Sequence, residues 1–232
     1  MEPILEGLSG AIARLVALDS EVVAAASASL AVSGTATALS IIIGIPLGAI
    51  LGLTRFTGRT FALSVVNTGM GLPPVAVGLF VATLVWRSGA LGGLDWYCTR
   101  PAIVMAQFAL AAPTVTGLTA VAVQSVDPML RTQLVSLGAT ALQSAWLLIR
   151  ESRLLLITAA LAGFGAVISE IGASLMVGCN VKGDTRLLTT SIVLETSKGE
   201  FGSAYALVFI LLALIFAVSA VTTWAQQRPR PL

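Results

Sequence analysis

Glu170 is the single charged residue between Leu154 and Val181, a run otherwise built from apolar and small side chains. An acid in such a setting is costly unless it faces a cavity or a partner, so it marks function before any other residue does. Hydroxyls stand near it and in a second apolar run: Ser169 precedes Glu170, and Thr114 and Thr116 follow Pro113. Such groups can donate weakly to a polar solute in transit, although mid-helix Ser and Thr often bond their own i−4 carbonyl instead. The chain contains no histidine, which removes bis-His haem ligation, the usual zinc sites and the commonest general base. No Ser-His, paired-aspartate or metal-ligand set lies within the apolar runs, so an intramembrane enzyme is disfavoured. No G-x-x-x-x-G-K-[ST] phosphate loop occurs either, nor any Gly-Lys pair. If ATP powers this protein, the nucleotide with its Mg²⁺ sits on another chain. No cofactor is expected on this one.

The elements that must position these residues are membrane helices. Hydrophobic residues make up 56% of 232 and charged residues 10%, where a soluble domain carries roughly a quarter charged. Val22 to Thr54, Thr60 to Trp86, Pro101 to Val126 and Phe201 to Gln227 hold no charge at all. A bilayer takes roughly 20 apolar residues per helix, so about five spans are expected. They fall at about 28–53, 61–86, 102–122, 154–178 and 203–225. The first, interrupted by Gly34, Gly44, Pro46 and Gly48, is expected to tilt or kink. Ile4, Leu5, Leu8, Ile12, Leu15 and Val16 recur at helical spacing and suggest a short interfacial helix over 3–18.

The chain thus divides into an interfacial N-terminal segment (1–27), a membrane domain (28–225) and a tail (226–232). Arg55, Arg59, Arg131, Arg150, Arg153, Arg228 and Arg230 all fall on one side, Arg14, Arg87, Arg100, Lys182, Arg186 and Lys198 on the other. Two of the segments that hold the first group, 54–60 and 226–232, are very short, where the positive-inside rule acts best. The expected topology is therefore an outer N-terminus and a cytoplasmic C-terminus in the plasma membrane. No basic leader precedes an apolar run, so no cleavable signal is expected. Segment 123–153 is then cytoplasmic, and Leu130, Leu134, Leu137 and Leu142 suggest an amphipathic helix that docks a partner. Cys98 and Cys179 both fall outside. They could pair in an oxidising compartment, but two unrelated thiols are the expectation.

Three stretches carry a resemblance. Leu134 to Arg153 (LVSLGATALQSAWLLIRESR) resembles the cytoplasmic coupling loop of ABC-importer permeases, with Gly138 as its glycine and Ser136, Leu137 and Ala139 as its usual surroundings. Thr132 replaces the family's acid, Gln133 and Leu134 its alanines, and Arg150 and Glu151 stand near the site of a missing proline. Residues 67–89 (NTGMGLPPVAVGLFVATLVWRSG) resemble permeases for molybdate, sulfate and tungstate, whose hallmark is Leu-Pro-Pro before Val-x-Val-Gly-Leu. Pro73 and Pro74 break the backbone ladder, so freed carbonyls must face protein or water. Residues 163–202 (GFGAVISEIGASLMVGCNVKGDTRLLTTSIVLETSKGEFG) are similar to the tungstate branch of that group, with Ser169-Glu170-Ile171-Gly172-Ala173 at its Glu-Phe-Gly-Ala motif and Asn180 to Gly183 in its outer segment. The resemblance spans about residues 29–225.

The resemblance implies an all-α, five-helix type I importer permease that imports a tetrahedral oxyanion, tungstate first, with molybdate or sulfate as the alternative. It implies a second copy of the chain, two ATPase subunits gripping the loop at Thr132, Leu134 and Ser136 to Ala139, and an extracytoplasmic binding protein. Pathway or gate candidates are Pro73, Pro74, Thr114, Thr116, Ser169, Glu170 and Asn180. Glu170 lies roughly 6 Å past mid-span toward the outside. Unit like charges 4 Å apart repel by about 4 kcal/mol at an effective dielectric of 20, so its expected role is to hold a gate or dimer interface by hydrogen bonds. Lys182 and Arg186 could draw in an anion or meet the binding protein. A secondary transporter would carry internal repeats and several coupling acids, and neither is visible.

Overall fold

The computed structural model describes residues 2–17 and 19–227. All regular structure among them is helical: α1 (Glu2–Val16), α2 (Ser20–Leu53), α3 (Arg59–Met70), α4 (Pro74–Val85), α5 (Arg100–Gln124), α6 (Pro128–Ser136), α7 (Ala141–Glu151), α8 (Arg153–Ile168), α9 (Gly172–Gly178), α10 (Leu188–Ser197) and α11 (Phe201–Gln227), with one 3₁₀ turn at Gly92–Leu94. Within α2, α5 and α11, segments Ser20–Leu53, Arg100–Gln124 and Phe201–Trp224 are long and apolar enough to cross a bilayer, and counting each sharply bent pair as one span raises the total to 5. Side chains such as Ile42, Phe80 and Phe216 are exposed on the outside of this bundle, a surface suited to lipid. Arg228 and Arg230, used above for orientation, lie outside the described residues, as does most of the tail.

α2 and α5 form the central pair. α2 starts earlier than expected, where Asp19 caps it by accepting from the Glu21 N–H at 2.9 Å, and it runs unbroken through Pro46. Its small residues Ser33, Thr37, Ser40, Gly44 and Gly48 are buried. A Cβ on Gly48 would stand 2.5 Å from the Thr116 carbonyl oxygen, so only glycine lets the two backbones come this close. At the far end, Arg59 Nε donates to the Leu51 carbonyl at 2.8 Å and Arg131 Nη2 to the Leu53 carbonyl at 3.0 Å. Both cations thereby satisfy orphan carbonyls at the negative end of the α2 dipole.

Two expected spans are not straight. The helix expected over 61–86 is two helices, α3 and α4, bent by 100°. α3 ends at Met70, and the Pro73-Pro74 step withholds the amides that would carry the ladder on; Pro74 opens α4 at its first turn. The span expected over 154–178 is likewise α8 and α9, interrupted at Ser169 to Ile171. Segment 123–153 holds two short helices, α6 and α7, rather than one, and α7 turns into α8 through 69°. Ser152 fixes that corner by donating to the carbonyls of Ala122 at 3.2 Å and Leu148 at 2.8 Å.

The interfacial helix expected over 3–18 is α1, and it lies against α11: Gly7 sits so near Tyr205 that a Cβ there would clash with it. Ile4, Leu5, Leu8 and Ile12 stay exposed on its other side. One apolar core cluster joins α2, α4, α5 and α9 through Val32, Val85, Ile103 and Val177; a second joins α1, α2, α8, α10 and α11 through Ala11, Val22, Ile168, Leu188 and Ile210.

Candidate functional site

Glu170 occupies the gap between α8 and α9 and is only 8% exposed. Its carboxylate closes the first turn of α9: Oε1 accepts from the Ala173 N–H at 3.0 Å, and Oε2 from the Ser174 N–H at 3.2 Å and the Ser174 hydroxyl at 3.5 Å. These are donors that a helix start leaves orphaned, and an anion there also meets the positive end of the peptide dipoles. Ser174 Oγ in turn accepts from Gln107 Nε2 at 3.3 Å, which ties α9 to α5. Thr189 donates to the Glu170 carbonyl at 3.2 Å, bringing in α10. Glu170 thus joins three elements of its own chain. Gln107, fully buried, was not foreseen; a lone amide in an apolar run was the signal that could have found it.

The motif glycines and alanine explain the neighbourhood. A Cβ on Gly78 would lie 2.6 Å from the Cα of Ala173, and one on Gly172 would lie 2.6 Å from Val75 Cγ2. The small residues of Val75 to Gly78 and of Gly172-Ala173 therefore let the two interrupted spans meet just beside their breaks. Pro73, Pro74 and Ser169 are exposed at this junction, and the Ser169 hydroxyl donates to the Gly165 carbonyl at 2.7 Å. Thr114 and Thr116 are not part of it. Their hydroxyls return to Leu110 and Ala112 at 3.5 and 2.7 Å, and Thr116 packs against Gly44 of α2. Thr116 also lines an open apolar groove of about 980 Å³ with Leu47, Phe61, Leu72 and Pro113.

At the end of the bundle where α5 begins, the expectation of two unrelated thiols is wrong. Cys98 and Cys179 form a disulfide, with Cα atoms 5.1 Å apart. Sequence separation hid this pairing, because nothing local places the α4–α5 connection beside the end of α9. The same two segments are joined by Arg100, whose Nε lies 3.0 Å from Asp184 Oδ1, and by the Cys98 N–H, which donates to the Val177 carbonyl at 2.9 Å. Asn180, in the left-handed region at φ 52°, accepts from Thr190 Oγ1 at 2.9 Å through its side chain. Arg186 Nη2 donates to the Asn180 carbonyl at 3.4 Å, and Lys182 is ion-paired with Glu21. These two cations hold the outer loop in place.

The opposite end of the bundle exposes an apolar patch. Gly138 adopts φ 79° between α6 and α7, and Thr140 caps α7 in a reciprocal box with Gln143. Leu137 is 84% and Leu142 81% exposed, and Trp146 is exposed beside them. Thr132, Ser136 and Gly138 are exposed too, while Leu134 and Ala139 are half-buried. Large apolar groups left open together at the aqueous end of a bundle are the mark of a partner surface.

Residues 44–231 match the family described as binding-protein-dependent transport system inner membrane component. The chain is 41% identical over 198 residues to a probable anion ABC transporter permease protein of Haloferax volcanii, covering 83% of this chain and 85% of that one. It is 38% identical over 221 residues to the tungstate uptake system permease protein of Peptoclostridium acidaminophilum, covering 95% and 97%. The molybdenum transport system permease protein of Escherichia coli is 27% identical over 206 residues, covering 84% and 90%. Among solved structures, an amino acid ABC transporter superposes with a TM-score of 0.67 at 15% identity, covering 93% and 97%, a likeness of fold.

Proposed function

Since the chain belongs to the family of binding-protein-dependent transport system inner membrane components, we propose that it is the multi-pass permease subunit of an ATP-driven importer of tungstate. The observation that carries the substrate is the 38% identity to a tungstate uptake permease over 95% of this chain. Molybdate is the second reading, favoured by the more distant match to a molybdenum permease.

In this reading two copies of the chain enclose the pathway, because so few spans rarely surround a gated path alone. Two ATPase subunits grip α6, Gly138 and α7 from the cytoplasm, and the 69° corner at Ser152 carries their closure into α8. A soluble binding protein delivers the oxyanion to the outer end. The N-terminus is extracytoplasmic and the C-terminus cytoplasmic. The disulfide supports this orientation, since such bonds persist outside the reducing cytosol. Pro73, Pro74 and Ser169 stand at the junction of the interrupted spans, and Glu170 shapes it from within the protomer.

Metal-oxyanion uptake in cells with and without this chain tests the function. Tungstate accumulation is expected to depend on the chain, with calorimetry on the partner binding protein ranking tungstate above molybdate and sulfate. Unchanged accumulation, or a preference for sulfate, overturns the reading.

A further inference from the structure

α3 contributes no buried residue to the protein, yet it is half of a membrane span. One side of it rests on α5: a Cβ on Gly69 would lie 2.8 Å from Pro113 Cβ, and one on Gly117 would lie 2.8 Å from Met70 Sδ and 3.3 Å from Val66 Cγ1. At about 100° per residue, Thr60, Ser64, Asn67 and Gly71 fall on the far side, roughly 145° around from that contact. All four are exposed. Ser64 donates to the Thr60 carbonyl at 3.0 Å, but the Asn67 side chain makes no hydrogen bond among the described residues. The third side carries Phe61, 75% exposed, and Val65, and Ser64 and Thr68 line the same apolar groove with them. That is an apolar face suited to lipid.

Depth decides what the polar side can face. Pro113 lies next to the middle of the 25-residue α5, so Gly69 beside it is near the membrane midplane. Asn67 is two residues away, about 3 Å along the axis. The interruption between α3 and α4 lies at the same depth, with Gly71, Leu72, Pro73 and Pro74 exposed. Hydrocarbon cannot satisfy an open amide or irregular backbone; at this level both require protein or water.

We propose that Thr60 and Asn67 stand on one wall of a water-filled passage, and that Asn67 donates its amide N–H groups to the tetrahedral oxyanion as it crosses the midplane. This rests on the permease reading above. A neutral amide offers two donors without a full charge, which suits a site that must release its ion as well as accept it.

Both native cysteines are bridged, so a cysteine introduced into the full-length chain is its single free thiol. In membranes holding the assembled transporter, Asn67→Cys is expected to react with a hydrophilic methanethiosulfonate at least about tenfold faster than Phe61→Cys and Val65→Cys, because the thiolate forms where water reaches. Asn67→Asp is expected to slow tungstate uptake about thirtyfold, the factor that two unit repulsions at about 4 Å in water imply, whereas Asn67→Gln retains most of it. Equal reactivity at positions 65 and 67 overturns the passage wall, and full uptake by Asn67→Asp overturns the contact with the ion. A wild-type chain that carries no oxyanion while the labelling contrast holds removes the oxyanion from the proposal together with the permease reading, and leaves a water-lined α3.

Discussion

At the scale of single residues, Glu170 shows how a membrane-depth acid can be accommodated without a cation. Among the described residues no ion pair reaches it; two backbone amides and a hydroxyl do. Removing the acceptor leaves those donors buried and unsatisfied, at about 1–3 kcal/mol for such groups. Glu170→Ala is therefore expected to lower the thermal midpoint of the detergent-solubilised protein by several degrees. Glu170→Gln keeps one acceptor oxygen in place and is expected to lose less. Differential scanning fluorimetry of both variants checks the order; equal losses would argue that the carboxylate acts by charge and not as a cap. The sequence marked this residue clearly, because a charge in an apolar run is visible without neighbours. It did not show that the bonds run to α9, α5 and α10. Gln107, Ser174 and Thr189 lie on separate elements, and only the folded chain brings them together.

Elements were legible to the degree that their signal was local. Spans and the Gly138 turn follow from charge-free windows and a glycine, whereas the spacing of Leu130, Leu134, Leu137 and Leu142 announced one amphipathic helix where the turn at Gly138 divides two. The two interruptions were less so: Pro73-Pro74 announced a disturbance but not a 100° bend, and nothing at Ser169 to Ile171 forbids a helix by propensity. At that second break Glu170 caps a new helix, and Thr189 of α10 holds the Glu170 carbonyl from outside the span. The Gly138 turn supports a sharper prediction. A Cβ added at Gly138 would meet nothing within 4 Å in this chain, so Gly138→Ala costs only the left-handed backbone penalty, about 1–2 kcal/mol. Gly138→Trp adds bulk that the chain itself does not contact. Both variants are expected to insert and extract normally from the membrane. ATPase stimulation by loaded binding protein is expected to survive largely in Gly138→Ala and to vanish in Gly138→Trp. A Gly138→Trp protein with full stimulation would remove the loop from the partner interface.

At the scale of the whole molecule, the disulfide and the Arg100–Asp184 pair join the start of α5 to the loop that follows α9. The bridge spans 81 residues of sequence, enclosing α5, the coupling segment, α8 and α9 in one covalent ring. Closing a ring of that size lowers the entropy of the unfolded chain by the equivalent of about 4.5 kcal/mol, on the chain-entropy view. The ring runs from the bridged end of the bundle, through α6 and α7 at the opposite end, and back. The same bond reports topology. In intact cells, a membrane-impermeant phosphine followed by an impermeant maleimide is expected to label both cysteines. Lysis is expected to add no further label, and Cys98→Ser/Cys179→Ser is expected to stay unlabelled throughout. The double variant is also expected to unfold at a lower temperature while retaining its span count. Labelling that occurs only after lysis would put the bridge in the cytoplasm and turn the chain over, with Leu137, Leu142 and Trp146 facing away from any ATPase.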